Sequence, residues 1–317
     1  MGCYFITGGA GFIGSHIAEY LASKDHKVII YDNLSTGNFD NIKLIDNKID
    51  FYKEDIRNLD KLVELSKNSN VIFHEAAIVS VPKTIDKPIE STHVNDIGTL
   101  NVLEAARINK IKRVVLASSA AVYGDSPVLP KKEDTDLNPN SLYAVQKLTG
   151  EHYAKLYFKL YGVETVCLRY FNVYGPRQDP SSIYSGVVSI FLNRAIQKKQ
   201  PVIYGNGNQY RDFVYVKDVV NANILAAHTE NISGKIFNIG IGRSITINEL
   251  WHYICNIAEI SLESIYEDKR LGEIYGSVSD IQNAKLFLKY EPVFSFEEGL
   301  KNTFNWYLTV VARNHNK

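Results

Sequence analysis

Tyr143 and Lys147 lie four residues apart in a stretch, 141–161, whose pattern predicts a helix, so their side chains share one helical face. A tyrosine hydroxyl with a pKa near ~10 is a poor base at neutral pH. An ammonium group beside it favours phenolate and lowers that value, and a second positive charge nearby acts in the same direction. The pair then becomes a credible acceptor for the proton of a substrate hydroxyl. Ser119 follows the apolar run 114–118, at the kind of strand end where a doubly wound sheet places its ligand. Its hydroxyl can share a hydrogen bond with the reacting group and help to pass the proton. Tyr-x-x-x-Lys also arises by chance on exposed helices, the more easily in a chain with 20 tyrosines. Its weight comes from the order of the motifs that precede it.

The first of these is Thr7-Gly8-Gly9-Ala10-Gly11-Phe12-Ile13-Gly14, between an apolar run at 3–7 and a helical pattern at 13–24. Glycines let the backbone turn sharply and approach a pyrophosphate without a Cβ in the way. The helix behind them turns free N–H groups and its positive end toward phosphate. Asp32 ends the next apolar run, 27–32, about twenty residues on. A carboxylate there accepts hydrogen bonds from a ribose and repels a 2′-phosphate, which selects NAD over NADP. The glycine spacing, G-x-x-G-x-x-G at Gly8, Gly11 and Gly14, departs from the common G-x-G-x-x-G. Asp55-Ile56 follows the third strand, where it suits either an adenine edge or a plain strand-end turn. In His74-Glu75-Ala76-Ala77, after the fourth strand, the alanines would let backbone approach a cofactor, and His74 reads as a satisfied core histidine. An oxidised nicotinamide is itself cationic and would supply the second charge beside Tyr143.

These groups need a frame. Apolar runs at 3–7, 27–32, 71–74, 114–118 and 165–169 alternate with helical patterns at 13–24, 59–67, 98–109 and 141–161. The alternation predicts a parallel sheet covered on both faces, an α/β fold of the Rossmann-type, doubly wound kind. After Arg169 it loosens: 176–185 reads as a long loop, 185–197 as a helix and 205–208 as a Gly/Asn turn. Residues 213–216 and 236–239 read as strands around a helix at 219–229, and the tail from Ile245 reads as helical, ending in 296–311. We therefore expect an NAD-binding domain over 1–172 that also receives about 213–240. A smaller α/β substrate-binding lobe would be built mainly from 173–317, within a chain of 317 residues.

Lys plus Arg and Asp plus Glu each number 35, so no global field recruits nucleic acid or an anionic membrane. A polyanionic ligand must be held by locally placed cations and backbone amides. Cys3, Cys167 and Cys255 form neither a metal-ligand spacing nor a disulfide framework, which fits a reducing compartment. No basic-then-apolar leader opens the sequence, and no apolar stretch approaches ~20 residues. The expectation is a cytoplasmic protein without a metal.

Glycine loop, acid, serine after a later strand and Tyr-x-x-x-Lys, in that order, resemble the extended short-chain dehydrogenase/reductase superfamily over essentially the whole chain. Within it, the nucleoside-diphosphate-sugar 4-epimerases match best. The resemblance implies NAD held as a permanent cofactor by Gly8, Gly11, Phe12, Ile13 and Gly14, with Asp32-Asn33-Leu34 on ribose and Asp55-Ile56 on adenine. It adds Ser35, Thr36, Gly37, Ala76, Ala77, Tyr170 and Val173 to the cofactor's surroundings, and makes Ser119, Tyr143 and Lys147 the catalytic set. It also implies a homodimer joined by a four-helix bundle, with the helices at 98–109 and 141–161 at the interface.

Arg169-Tyr170-Phe171-Asn172-Val173-Tyr174-Gly175-Pro176 resembles the family's strand-to-loop signature, whose asparagine touches the substrate diphosphate; Asn172 takes that place. Tyr204-Gly205-Asn206-Gly207, leading to Arg211-Asp212-Phe213, resembles a nucleotide clamp. Arg270, with Gly272-Glu273, matches a second arginine and an acid on the uridine ribose. An arginine fork holds phosphate oxygens bidentately; a lone arginine would read as surface charge, whereas two in matching frames read as a clamp. Ser80, Ser119 and Val187 complete the implied substrate residues. Around Gly175-Pro176-Arg177-Gln178-Asp179-Pro180 the chain most resembles epimerases of N-acetylhexosamine nucleotides. In the family, the position seven after the Arg270 equivalent gates the sugar pocket: tyrosine excludes a 2-acetamido group and a small residue admits it. Ser277 stands there.

The implied activity is a 4-epimerase interconverting UDP-GlcNAc and UDP-GalNAc, together with UDP-glucose and UDP-galactose, through a transient 4-keto sugar. A 4,6-dehydratase would need Asp-Glu just after the serine, where Ala120-Ala121 stand. A UDP-glucuronate 4-epimerase or decarboxylase needs a cation after the fourth strand, and Lys83 in Ser80-Val81-Pro82-Lys83 keeps that alternative open. A catalytically silent NAD-binding regulator usually lacks the tyrosine or the lysine, both intact here.

Overall fold

Consecutive residues of a strand point to opposite faces, and here the two faces of one sheet are both apolar. The computed structural model describes residues 1–179, 186–269 and 274–315. The chain opens with β1 (Cys3–Thr7), α1 (Phe12–Ser23), β2 (Lys27–Tyr31), β3 (Ile49–Tyr52), α2 (Leu59–Ser66) and β4 (Val71–His74). Two short helices, α3 (Val81–Asp86) and α4 (Pro88–Thr92), and a π-helical turn at His93–Ile97 lead into α5 (Gly98–Ile108). Then come β5 (Arg113–Ser119), α6 (Leu142–Tyr161) and β6 (Glu164–Tyr170).

These strands and β11 form a seven-stranded parallel sheet in the order β11-β6-β5-β4-β1-β2-β3, where β11 is Lys235–Ile239. Phe5, Ile29, Ile72 and Val114 are buried on one face with Leu103 of α5, and Ile6, Ile30, Phe73 and Val115 on the other with Ile17 and Leu21 of α1. Burial on both faces explains why the strands read as unbroken apolar runs rather than as alternation. The order reverses between β1 and β4, and a sheet of this kind opens its ligand crevice at the carboxyl ends of those strands.

Beyond β6 the pieces are short: β7 (Asn172–Tyr174), α7 (Val187–Ile196), β8 (Val202–Tyr204), β9 (Tyr210–Arg211), β10 (Phe213–Tyr215) and α8 (Val216–His228). After β11 follow β12 (Ile245–Thr246), α9 (Ile247–Ala258), β13 (Ile265–Glu267), β14 (Gly276–Ser277) and α10 (Phe296–His315). A separate apolar core joins α7, α9 and α10 through Phe191, Leu192, Trp251, Ile254 and Tyr307. The expectation of a helical tail from Ile245 needs correction. Glu259 closes α9, and Lys289 closes a π-helical turn at Ala284–Leu288; both lie in the left-handed region, where a right-handed helix cannot continue. Between them, β13 and β14 pair with β8 and β9.

Candidate active site

The glycine loop turns where glycine is required. Gly8 has φ +68°, and a Cβ on it would come within 2.7 Å of the Ala76 nitrogen. A Cβ on Gly14 would lie 2.3 Å from the Gly8 carbonyl oxygen, so α1 packs here as only glycine permits. Phe12 and Ile13 begin α1, whose first turn faces the crevice with no side-chain cap, leaving backbone N–H groups for an anion. Asp32 is 8% exposed, and its carboxylate accepts from the Ala10 N–H at 3.0 Å and the Leu34 N–H at 2.8 Å. These bonds hold the acid against the loop while burial pushes its pKa up. A Cβ on Gly37 would meet that carboxylate at 2.8 Å, and Asn33, Ser35 and Thr36 stand exposed beside it. Asn33 donates to Asp55 at 2.8 Å, and the Arg57 guanidinium holds the Asp55 carboxyl down at about 2. Ile56 is buried next to it. A cradle stripped of Cβ atoms, a free helix N-terminus and a buried acid after β2 together fit a dinucleotide.

The catalytic candidates meet at the carboxyl end of β5. Ser119 is the last residue of β5, in register with Tyr170 at the end of β6. Its hydroxyl acts on that of Tyr143, in the first turn of α6, by favouring the phenolate, and it accepts from the Ala121 N–H at 3.2 Å. Lys147, one turn on, donates to the Ala117 carbonyl at 2.7 Å, with its Nζ 5.8 Å from the centre of the Tyr143 ring. All three are partly accessible, as pocket-lining groups must be. The proton balance differs from the sequence expectation. Burial, rather than the lysine, dominates Tyr143 and pushes it up to about 12; the Ser119 hydrogen bond opposes this and the charge of Glu75 adds to it. Burial also pushes Lys147 down to about 8, with Glu75 opposing. Phenolate therefore awaits positive charge arriving with a ligand.

His74 is a core histidine, bonded to Thr7 at 2.8 Å and Thr99 at 2.9 Å and pushed down to about 3 by burial. Ala76 and Ala77 follow it, partly open, with the Ala76 N–H directed to the Thr7 hydroxyl at 3.4 Å. Two residues that local spacing does not single out brace the site. Asn95 receives the Ile78 N–H at 2.8 Å and donates to the Ile78 carbonyl and to Gln146, fastening the loop after β4 to α6 between Tyr143 and Lys147. Glu75 accepts from the Tyr170 hydroxyl at 2.8 Å. An acid among alanines was the available signal for Glu75; Asn95 lies just outside the helical pattern read at 98–109.

On the other side of the crevice, β7 pairs with β10, and Asn172 donates to the Asp212 carbonyl from both its backbone, at 3.0 Å, and its side chain, at 3.3 Å. Val173 follows, half-buried. Asp212 is fully buried and accepts from the N–H groups of Ile241, Gly242 and Ser279 and from the Ser279 hydroxyl. It is thus the structural knot of the stretch read as a clamp. Arg211 precedes it, donates to the carbonyls of Tyr210 and Tyr275, and lies opposite Ser277 in the β9–β14 register. Tyr204 ends β8, its carbonyl tied to Gln209 at 2.7 Å. Val187 opens α7, and Ser80 caps α3, receiving the Lys83 N–H at 3.1 Å. Pairing therefore brings Asn172, Arg211 and Ser277 together; Arg270 and Glu273 lie outside the described residues.

A model of the NAD dependent epimerase/dehydratase family matches residues 4–240. A putative UDP-glucose 4-epimerase of Methanocaldococcus jannaschii is 43% identical over 303 residues, covering 95% of this chain and 97% of the relative. A solved UDP-N-acetylglucosamine 4-epimerase from Methanobrevibacter ruminantium M1, in complex with UDP-N-acetylmuramic acid, matches with a TM-score of 0.94 at 39% identity, covering 98% of this chain and 99% of that one. A UDP-glucose 4-epimerase from Thermotoga maritima with UDP-glucose matches at 0.93 and 36% identity, covering 97% and 99%.

Proposed function

Because the chain belongs to the NAD dependent epimerase/dehydratase family, we propose that it interconverts UDP-GlcNAc and UDP-GalNAc at C4, and UDP-glucose and UDP-galactose as well. The observation that carries the reading is the Ser119–Tyr143–Lys147 cluster at the carboxyl end of β5, across the crevice from the Asp32 cradle. When bound, NAD supplies a reversible oxidation at the sugar carbon. Tyr143, as phenolate, takes the proton of the 4-hydroxyl, with Ser119 sharing the hydrogen bond; Lys147 stays cationic beside it. Arg211 and Asn172 hold the diphosphate while the keto sugar turns over and Tyr143 returns its proton on the other face. Asp32 orients the adenosine ribose.

Ser277 supports acceptance of the N-acetyl group, because a short side chain in register with Arg211 leaves room that tyrosine would fill. The named activities of the relatives agree with both sugar types. Exposed apolar residues on α5 and α6 support a homodimer through those helices. Among the described residues no helix is long and apolar enough to cross a membrane, and the three cysteines are free, which suits the cytoplasm. The test is to incubate the protein, without added NAD, with UDP-GlcNAc and separately with UDP-glucose, and to separate the 4-epimers. We expect UDP-GalNAc and UDP-galactose, and with Ser277→Tyr a selective loss of the first by at least about tenfold. Turnover of UDP-glucuronate but of no neutral sugar would replace this reading, and no product from any would revive a silent NAD-binding role.

A further inference from the structure

Glu75 takes no part in the proton path above, yet it stands between the phosphate-facing loop and the catalytic helix. A Cβ on Gly8 would lie 2.9 Å from its carbonyl carbon, so its backbone forms one wall of the glycine turn. Its carboxylate is fixed. The Tyr170 hydroxyl donates to it at 2.8 Å, and Asn223 of α8 holds that hydroxyl by donating to it at 2.8 Å while also donating to the Val219 carbonyl. Tyr170 is 7% exposed and Asn223 not at all, so the hydroxyl that holds the Glu75 carboxylate is itself held in place. The titratable groups facing Glu75 are Tyr170 from β6 and Tyr143 and Lys147 from α6; the glycine loop offers only backbone and Asn223 only an amide. Burial pushes the Glu75 carboxyl up to about 7, against the Tyr170 hydrogen bond and the Lys147 charge.

The pocket's charges give this acid a role. With Tyr143 protonated and no sugar present, an oxidised nicotinamide adds one positive charge to the partly buried site beside Lys147; the reduced cofactor adds none. A neighbouring carboxylate favours the state with the added charge, whether or not Lys147 is protonated. Resting on the NAD-linked reading, we infer that Glu75 is the counter-charge of the oxidised state, a positioning residue that biases the site toward oxidised over reduced cofactor. It thereby disfavours release of a keto sugar that would strand the enzyme with reduced cofactor. The same charge opposes ionisation of Tyr143, so the bias is set against the ease of the first proton transfer.

In general, a unit charge acting over roughly 8–12 Å at an effective dielectric of about 20 changes such a preference about tenfold to thirtyfold. The protein and its Glu75→Gln variant, which keeps an acceptor for Tyr170, are equilibrated with mixtures of NAD⁺ and NADH. The bound cofactor is then released and its reduced fraction read by absorbance. Above pH ~8, where the carboxylate is ionised, the variant should hold about tenfold more reduced relative to oxidised cofactor. Below pH ~6, where Glu75 is protonated, the two proteins should converge, because the parent loses its bias as pH falls through about 7. Equal ratios above pH ~8, or the same pH dependence in the variant, overturn the inference. If Glu75→Gln does not fold, Tyr170→Phe, which unfastens the carboxylate, should move the ratio in the same direction, and an unmoved ratio is equally fatal. A parent protein that binds neither cofactor form refutes the NAD-linked reading instead; one that binds both with a pH-independent ratio refutes only the role of Glu75.

Discussion

Burial and charge pull on Tyr143 in opposite directions, and the proposed chemistry requires the second to win when the site is filled. In the free chain burial holds the hydroxyl at about 12, so it keeps its proton at neutral pH. A cationic ring against it and closure over a sugar would tip the balance, aided by the Ser119 hydrogen bond. Tyr143→Phe retains the ring but removes the acceptor. Epimerisation should then fall by roughly 10²–10⁴-fold in kcat, while affinity for UDP stays within a few-fold, measured by steady-state kinetics and UDP titration. A near-normal kcat would take Tyr143 out of the mechanism. Spacing within a single helix made Tyr143 and Lys147 legible in the sequence, and Ser119 followed from its strand. Glu75 and Asn95 were not legible as site residues, because what defines them are partners 95 and 51 residues away, Tyr170 and Gln146.

Helix α6 carries both Tyr143 and Lys147, so what fixes α6 would fix the proposed chemistry. One turn beyond Lys147, Glu151 is buried and receives the Arg169 guanidinium of β6 on both carboxylate oxygens, each at 2.8 Å, while Ser118 of β5 donates to it at 2.5 Å. Arg169 in turn reaches the Tyr123 hydroxyl at 2.8 Å. Helix and strand ends are thus locked by a charge pair with both side chains 2% exposed. Breaking such a pair strands a buried charge. Glu151→Ala should cost about 3–5 kcal/mol in denaturant unfolding, and the loosened helix should lower kcat more than UDP affinity. A loss below about 1 kcal/mol would show that α6 is held by packing alone. The long elements were readable because their apolar periodicity spans whole turns or whole strands. The two- and three-residue strands β8, β9 and β12 to β14 were not, since each exists only by pairing with a distant segment.

At the scale of the molecule, the chain leaves the sheet after β6, builds β7 to β10 with α7 and α8, and returns to add β11 beside β6, with α8 packed near α1. The returning strand was legible as an apolar run, but its place at the sheet edge comes from tertiary pairing that composition does not encode. The same frame leaves one face of α6 without a cover. Val145, Thr149, His152, Leu156 and Leu160 recur at helical spacing along its outer side, with Leu156 48% and Leu160 63% exposed. Ile97 and Ile108 stand open at either end of neighbouring α5. In the homodimer proposed above, a second copy would cover this face, since a two-fold contact places the same patch on both sides. Burying what remains exposed of Leu156 and Leu160 in both copies would contribute about 3–7 kcal/mol before the cost of association. The double change Leu156→Glu and Leu160→Glu places like charges across the axis and removes that term. It should convert the proposed dimer to a monomer in light scattering at micromolar concentration while leaving NAD binding intact, because the candidate cofactor cradle lies on β1, β2 and α1. A variant that stays dimeric would move the interface away from α6.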